Sequence, residues 1–133
     1  MLAARHAAVA RRDLDFIVSQ HAPDCVQVSP LAGGTVKGRE AIRGLYETWF
    51  SGFPDLVWTS DEVLIDGDNI TQVTTQTGTD TGGFMGLPAT GKPFRACIVW
   101  AFKVKDGQFV HVRPIYDFTG LLLQIGVLKA KPA

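Results

Sequence analysis

Apolar positions along the chain change period twice, dividing it into helix, sheet and helix again. Between Gly38 and Ser51, Ile42, Leu45, Tyr46, Trp49 and Phe50 recur at i, i+3, i+4, i+7 and i+8, the stripe of an amphipathic helix. Ahead of it, the Ala-rich stretch from Leu2 to His21 has helical spacing that breaks at Arg11-Arg12-Asp13. Asp13 is placed there to cap a second helix carrying Leu14, Ile17 and Val18. Ala22-Pro23-Asp24 stops the helix, and Cys25 to Ser29 alternates like a short edge strand before Pro30 and the Gly33-Gly34 turn. From Leu56 the chain becomes rich in Val, Ile, Thr and Trp, with strand signals almost to Asp117. Phe118, Leu121, Leu122 and Ile125 then return to helical spacing, and Gly126 is placed to end that element.

Asp66-Gly67 and Asp106-Gly107 each lie between β-formers and predict tight hairpin turns. If Asp106-Gly107 is a two-residue loop, Lys105 pairs with Gln108, and directly opposite residues share a sheet face. One face then reads Phe94, Ala96, Ile98, Trp100, Phe102, Val104, Phe109, His111, Arg113, Ile115 and Asp117. The other carries Cys97, Val99, Ala101, Lys103, Val110, Val112, Pro114 and Tyr116, and suits packing against another subunit. The aromatic face fits the stripe of the Gly38–Ser51 helix and leaves room for a cone-shaped cavity. A bulge in either strand would exchange the faces beyond it.

Thr77 to Pro93 embeds Phe84, Met85 and Leu87 among five glycines and two prolines. It is either a structural connection whose apolar side chains plug the core, or a flap that touches an apolar ligand. Asp117 stands where strand becomes helix, and also has two readings. It either caps the turn beginning at Phe118, or turns into an apolar cavity where desolvation raises its pKa and fits it to move protons.

Composition narrows the partners. Length alone predicts one domain over 133 residues. Lys plus Arg and Asp plus Glu number 13 each, so nucleic acid and anionic membrane surfaces are not expected partners. No apolar run approaches the roughly 20 residues of a membrane span, and a soluble, cytoplasmic protein is expected. Cys25 and Cys97 have no metal or redox spacing and are expected to be small buried residues. His6, His21 and His111 make no HxxxH or HExxH pattern, so a metal is not expected.

The order of elements, APD before a strand, GREAI opening the third helix, GFMGLPATGKPF, and DGQFVHVRPIYDFTGLLLQIGVL together resemble the SnoaL-like polyketide cyclase family. That family belongs to the NTF2-like superfamily. The resemblance implies an α+β cone, a strongly curved and mostly antiparallel sheet wrapped round N-terminal helices, with a deep apolar pocket and often a homodimer across the outer sheet surface. It also implies that Asp117 is the general acid/base of a cofactor-free aldol ring closure.

By the hairpin register, His111 and Arg113 would lie beside Asp117 as donors to an enolate or alkoxide, although Arg113 as a nearby cation would oppose a raised Asp117 pKa. Phe16, Tyr46, Trp49 and Trp100 are the expected walls for an apolar small molecule, joined by Phe84, Met85 and Leu87 if the glycine-rich stretch is a flap. Three alternatives accompany the cyclase. One is an epoxide hydrolase using Asp117, Arg113 and either Asp61 or Asp80. The others are a ketosteroid-isomerase-like proton shift and a non-catalytic hydrophobic carrier.

Overall fold

The computed structural model describes residues 1–129. The single domain expected over residues 1–133 therefore ends in four positions outside the described residues. Helices α1 (Leu2–Ala10), α2 (Leu14–Ser19) and α3 (Arg39–Gly52) pack on one face of a six-stranded sheet. Its strands are β1 (His21–Ser29), β2 (Gly34–Lys37), β3 (Val57–Asp66), β4 (Asn69–Thr79), β5 (Pro93–Lys105) and β6 (Gln108–Ile115), in the order β2-β1-β6-β5-β4-β3. Only β1 and β6 run parallel. The sheet is curved and unclosed, and with helix α4 (Phe118–Gln124) it completes the expected α+β cone. Among the described residues no helix is long and apolar enough to cross a membrane.

Local chemistry accounts for these elements. Asp13 caps α2 by accepting from the Phe16 amide at 3.1 Å. Helix α3 buries Ile42, Leu45 and Tyr46 along the stripe that the spacing predicted. Asp106 and Gly107 both have positive φ, 51° and 74°, the backbone of the two-residue turn that the right-handed twist of a hairpin favours. The other Asp-Gly pair falls one residue early, because Asp66 itself pairs with Asn69 and the turn is Gly67-Asp68.

The predicted β5–β6 register holds only beside the turn. Lys105 faces Gln108 and Val104 faces Phe109, but Lys103 then faces His111, which leaves Val110 as an unpaired bulge. Phe109 and Val112 are three residues apart and both fully buried. Strict alternation would send one of them to water and forfeit about 1.5–3 kcal/mol of apolar burial. The bulge keeps both in the core. Beyond it the faces exchange: Val112, Pro114 and Tyr116 face inward, while His111, Arg113 and Ile115 join Lys103, Ala101 and Val99 outside.

Two further expectations are corrected. The Cys25–Ser29 strand is part of nine-residue β1, which is internal because β2 takes the edge. Cys25 is buried, but Cys97 is exposed on the outer face of β5.

Residues 80–92 form an anchored connection. The buried carboxylate of Asp80 accepts from the amide of Phe84 at 2.9 Å, and from the amide and hydroxyl of Thr90 at 3.2 and 3.0 Å. The ring of Phe84 is fully buried, with its centroid 4.9 Å from Trp49 and 4.7 Å from Phe53. Gly82 lies so close to α3 that a Cβ there would sit 1.7 Å from the Ser51 carbonyl oxygen. Of the two readings of this stretch, the packing is that of a core plug.

Candidate functional site

Between α3 and the inner sheet face lies a partly enclosed cavity with about 30 Å³ open to the centres of water-sized molecules. By that measure it holds roughly two waters. Leu45, Tyr46, Trp49 and Phe50 of α3 form one wall, and Trp58, Ile98 and Trp100 form the facing one. The remaining lining is polar at intervals, with Gln27 and Ser29 from β1, Gln76 from β4, and Pro114 and Tyr116 at the end of β6. Alternation along β4 buries Gln72, Thr74 and Gln76 while Val73, Thr75 and Thr77 face outward. The strand thus turns amides into the core where a purely structural sheet would place Val or Ile.

Arg5 lies behind this wall and is fully buried. It reaches that position because Arg5, Ala8 and Val9 share the buried face of α1 at i, i+3 and i+4. Its Nε and Nη2 donate to the Tyr46 hydroxyl oxygen at 3.2 and 2.8 Å. The guanidinium carbon lies 4.2 Å from the ring centroid of Trp100 and 4.6 Å from that of Trp58. Nη1 has no hydrogen-bond partner. Burial lowers the guanidinium pKa from its ordinary value, and the Tyr46 oxygen opposes that shift. The aromatic rings and one phenol thus stand where a buried cation would ordinarily have a carboxylate. The ion pairs among the described residues are Arg11–Asp13 and Arg43–Asp15, both away from this site.

Four polar atoms of cavity-lining residues are buried without a partner: Gln27 Oε1, Gln76 Nε2, Trp58 Nε1 and Trp100 Nε1. An unsatisfied buried group costs about 1–3 kcal/mol, so the wall of this cavity carries polar groups that the fold itself leaves unpaired. Tyr116 closes the cavity on one side, its ring T-shaped to Trp49 at 6.0 Å. Burial pushes its phenol above the usual range, which keeps it neutral. Ser29, Pro114 and Tyr116 line both this cavity and a surface groove where β1 and β6 end, so only these residues separate the two at that corner.

Of the residues expected at the ligand, the structure gathers Tyr46, Trp49 and Trp100 at this cavity. Phe16 is solvent-exposed beneath the Arg11 guanidinium, at 5.3 Å. Phe84 is core, Leu87 is exposed, and Met85 lines a separate surface groove with Leu31 and Gly44. The expected cluster of Asp117, His111 and Arg113 does not form around the cavity. His111 and Arg113 lie on the outer face beside Lys103 because of the Val110 bulge. Asp117 is exposed and caps α4, accepting from the Gly120 amide at 2.8 Å. Asp61 accepts from the Thr75 hydroxyl at 2.6 Å, and Asp80 is committed to its loop, so neither supplies a second carboxylate beside Arg113.

Around the cavity the sequence reading missed Gln27, Ser29, Trp58, Gln76 and Tyr116, and Arg5 behind it. For Arg5 and the glutamines the signal was position: Arg5 falls on the Ala8/Val9 face of an Ala-rich helix, and each Gln falls on the inward parity of its strand.

Comparison with known proteins agrees with this architecture. AclR, a candidate hydroxylase from Streptomyces galilaeus, superposes with a TM-score of 0.80 at 28% identity, over 96% of this chain and 80% of its own. IdmH, a candidate polyketide cyclase from Streptomyces antibioticus, gives 0.79 at 28% identity, over 94% and 95%. A protein of ketosteroid isomerase-like fold from Catenulispora acidiphila gives 0.79 at 20% identity over 94% and 91%, a likeness of fold alone. No curated protein matches the chain. The model of the SnoaL-like polyketide cyclases matches residues 1–125, nearly the full length that folds into the cone, and the chain belongs to that family.

Proposed function

We propose that the chain is a cofactor-independent cyclase-type enzyme whose cavity binds a flat carbonyl compound, with Tyr46 donating a hydrogen bond to the carbonyl oxygen that gains negative charge. Family membership and the likeness to IdmH support the reaction class. The observation that carries the reading is the Arg5–Tyr46 pair. With both Arg5 bonds accepted by the phenol oxygen, the phenolic hydrogen has no acceptor among the described residues, while Tyr46 lines the cavity. A cation behind the phenol stabilises charge arriving on an oxygen in front of it, and in a water-poor site that effect outweighs its value in bulk solvent. The amides of Gln27 and Gln76 and the indole N–H groups of Trp58 and Trp100, covered in the closed cavity, become further partners for the guest once the cavity enlarges. The cavity must enlarge at the Tyr116 corner to admit such a guest.

Turnover of aromatic polyketide esters by wild type and Tyr46→Phe tests this. Removing one such donor lowers kcat by about 100-fold to 1000-fold in comparable sites. A Tyr46→Phe enzyme with full activity would remove Tyr46 from the reaction. Association of two chains through the outer sheet face belongs to the same reading, since Val99, Ala101 and partly exposed Val73 form a small-residue surface beside exposed Ile115. Sedimentation at the mass of a single chain would exclude that association.

A further inference from the structure

We propose that the cavity takes its ligand as an anion: an oxygen acid with a delocalised conjugate base, such as a 1,3-dicarbonyl compound bound as its enolate or a phenol bound as its phenolate. The inference rests on the reading that Tyr46 donates to a substrate oxygen, and adds the charge state of that oxygen before any chemistry begins.

Two independent observations carry it. The first is an uncompensated charge. Arg5 is fully buried, is partnered among the described residues only by the Tyr46 hydroxyl and aromatic faces, and leaves Nη1 unpaired. A buried cation without a counter-ion raises the affinity of the space in front of it for negative charge. The second is what the lining lacks: its residues include Gln, Ser, Tyr and Trp but no carboxylate, imidazole or amine. The nearest imidazoles lie outside the lining: His6 is edge-on to Trp58 at 5.4 Å with its Nε2 accepting from Gln72, and His21 is edge-on to Tyr46 at 6.4 Å and donates through Nδ1 to the Ile17 carbonyl at 2.9 Å. A site with donors and a cation but no base acts on a compound acidic enough to have lost its proton to water before it binds.

The ring-closing step then balances without a protein base. The enolate carbon supplies the electron pair of the new C–C bond, and the π pair of the attacked carbonyl moves onto its oxygen. That oxygen takes the Tyr46 proton, and Tyr46 regains one from water. The same electrostatics disfavour a simple ketone, which would need a base to remove its α-proton.

The probe is 4-nitrophenol, whose neutral and ionised forms absorb differently, paired with 4-nitroanisole, its methyl ether, which is larger by one methyl group and has no proton to lose. Spectral titration with the folded wild-type chain is expected to show the bound nitrophenol ionised at pH values where the free probe is neutral. Its apparent pKa should fall by about 1–3, as for an acid within reach of a cation, and nitroanisole should bind at least about tenfold more weakly. Arg5→Met keeps the side-chain volume and should stay folded, because replacing a buried charge by an apolar group is often neutral or stabilising. It should abolish the pKa drop, and Arg5→Lys should restore part of it.

The inference is overturned if the bound probe stays neutral, if nitroanisole binds equally well, if neither binds saturably, or if Arg5→Met retains the drop. Should one of these occur while Tyr46→Phe still suppresses turnover of the polyketide esters, the cyclase reading stands and only the charge state is wrong. Ionised binding with unimpaired Tyr46→Phe turnover would mean the reverse.

Discussion

His21 makes the stability of the fold depend on pH in a way that can be calculated. The side chain is fully buried against Tyr46 and Phe109, its Nδ1–H is committed to Ile17, and Nε2 has no partner. Burial first, and then the Arg5 charge, lower its pKa from 6.5 to about 4. The native state therefore binds fewer protons than the unfolded state between those values, and stability rises with pH across the window. The contribution is complete above about 6.5 and is lost as pH falls through about 4. At about 1.4 kcal/mol per pH unit the full loss is about 3 kcal/mol, a large share of a small domain's stability.

Urea unfolding followed by Trp fluorescence at half-unit steps from pH 4 to 8 measures this for wild type and His21→Asn. The Asn amide replaces the Nδ1 donor without the proton, so the variant should be weaker at pH 8 but lose about 3 kcal/mol less on acidification. Subtracting the two curves removes titrations common to both, including that of half-buried His6, whose pKa is also lowered. Parallel curves would show that His21 is not held neutral by the fold.

Three substitutions at two positions test the placement of Asp117 and of the 80–92 connection. Asp117→Ala should cost about 1 kcal/mol through loss of the α4 cap, and Asp117→Asn should keep it, with turnover within a few-fold of wild type in both; an Asn variant of normal stability without turnover would return a proton-transfer role to Asp117. Gly82→Ala drives a Cβ into the Ser51 carbonyl and should cost about 1–3 kcal/mol in urea unfolding, whereas an unchanged midpoint would mean that the loop does not rest on α3.

The cone was legible in the sequence because its signals are local and agree with one another. The Ile42–Phe50 stripe, the Asp106-Gly107 turn and the Phe118–Ile125 spacing each fix one element without reference to the rest. Side-chain direction beyond the turn was not legible, since a single unpaired residue, Val110, inverts every later position of β6. A cue was present in that strand: the extrapolated register placed His111, Arg113 and Asp117 together on its most aromatic face, a cost that the alternation Val112, Pro114, Tyr116 avoids. Arg5 escaped notice for a different reason. A lone base in an Ala-rich amphipathic helix reads as solvated, and only the packing of α1 over Trp58 and Trp100 shows that it is not. The inward glutamines depend likewise on strand parity, which the Thr-rich sequence of β4 leaves ambiguous.

The central claim is that chemistry takes place in the cavity in front of the Arg5–Tyr46 pair. A crystal structure of the chain with a bound 1,3-dicarbonyl aromatic ester tests it most directly. The account predicts a ligand oxygen about 2.6–3.2 Å from Tyr46 Oη, the Tyr116 corner opened, and Gln27 and Gln76 bonded to the guest. A ligand seated on the outer face beside His111 and Arg113, or one held by an inward-turned Asp117 carboxylate, would contradict it.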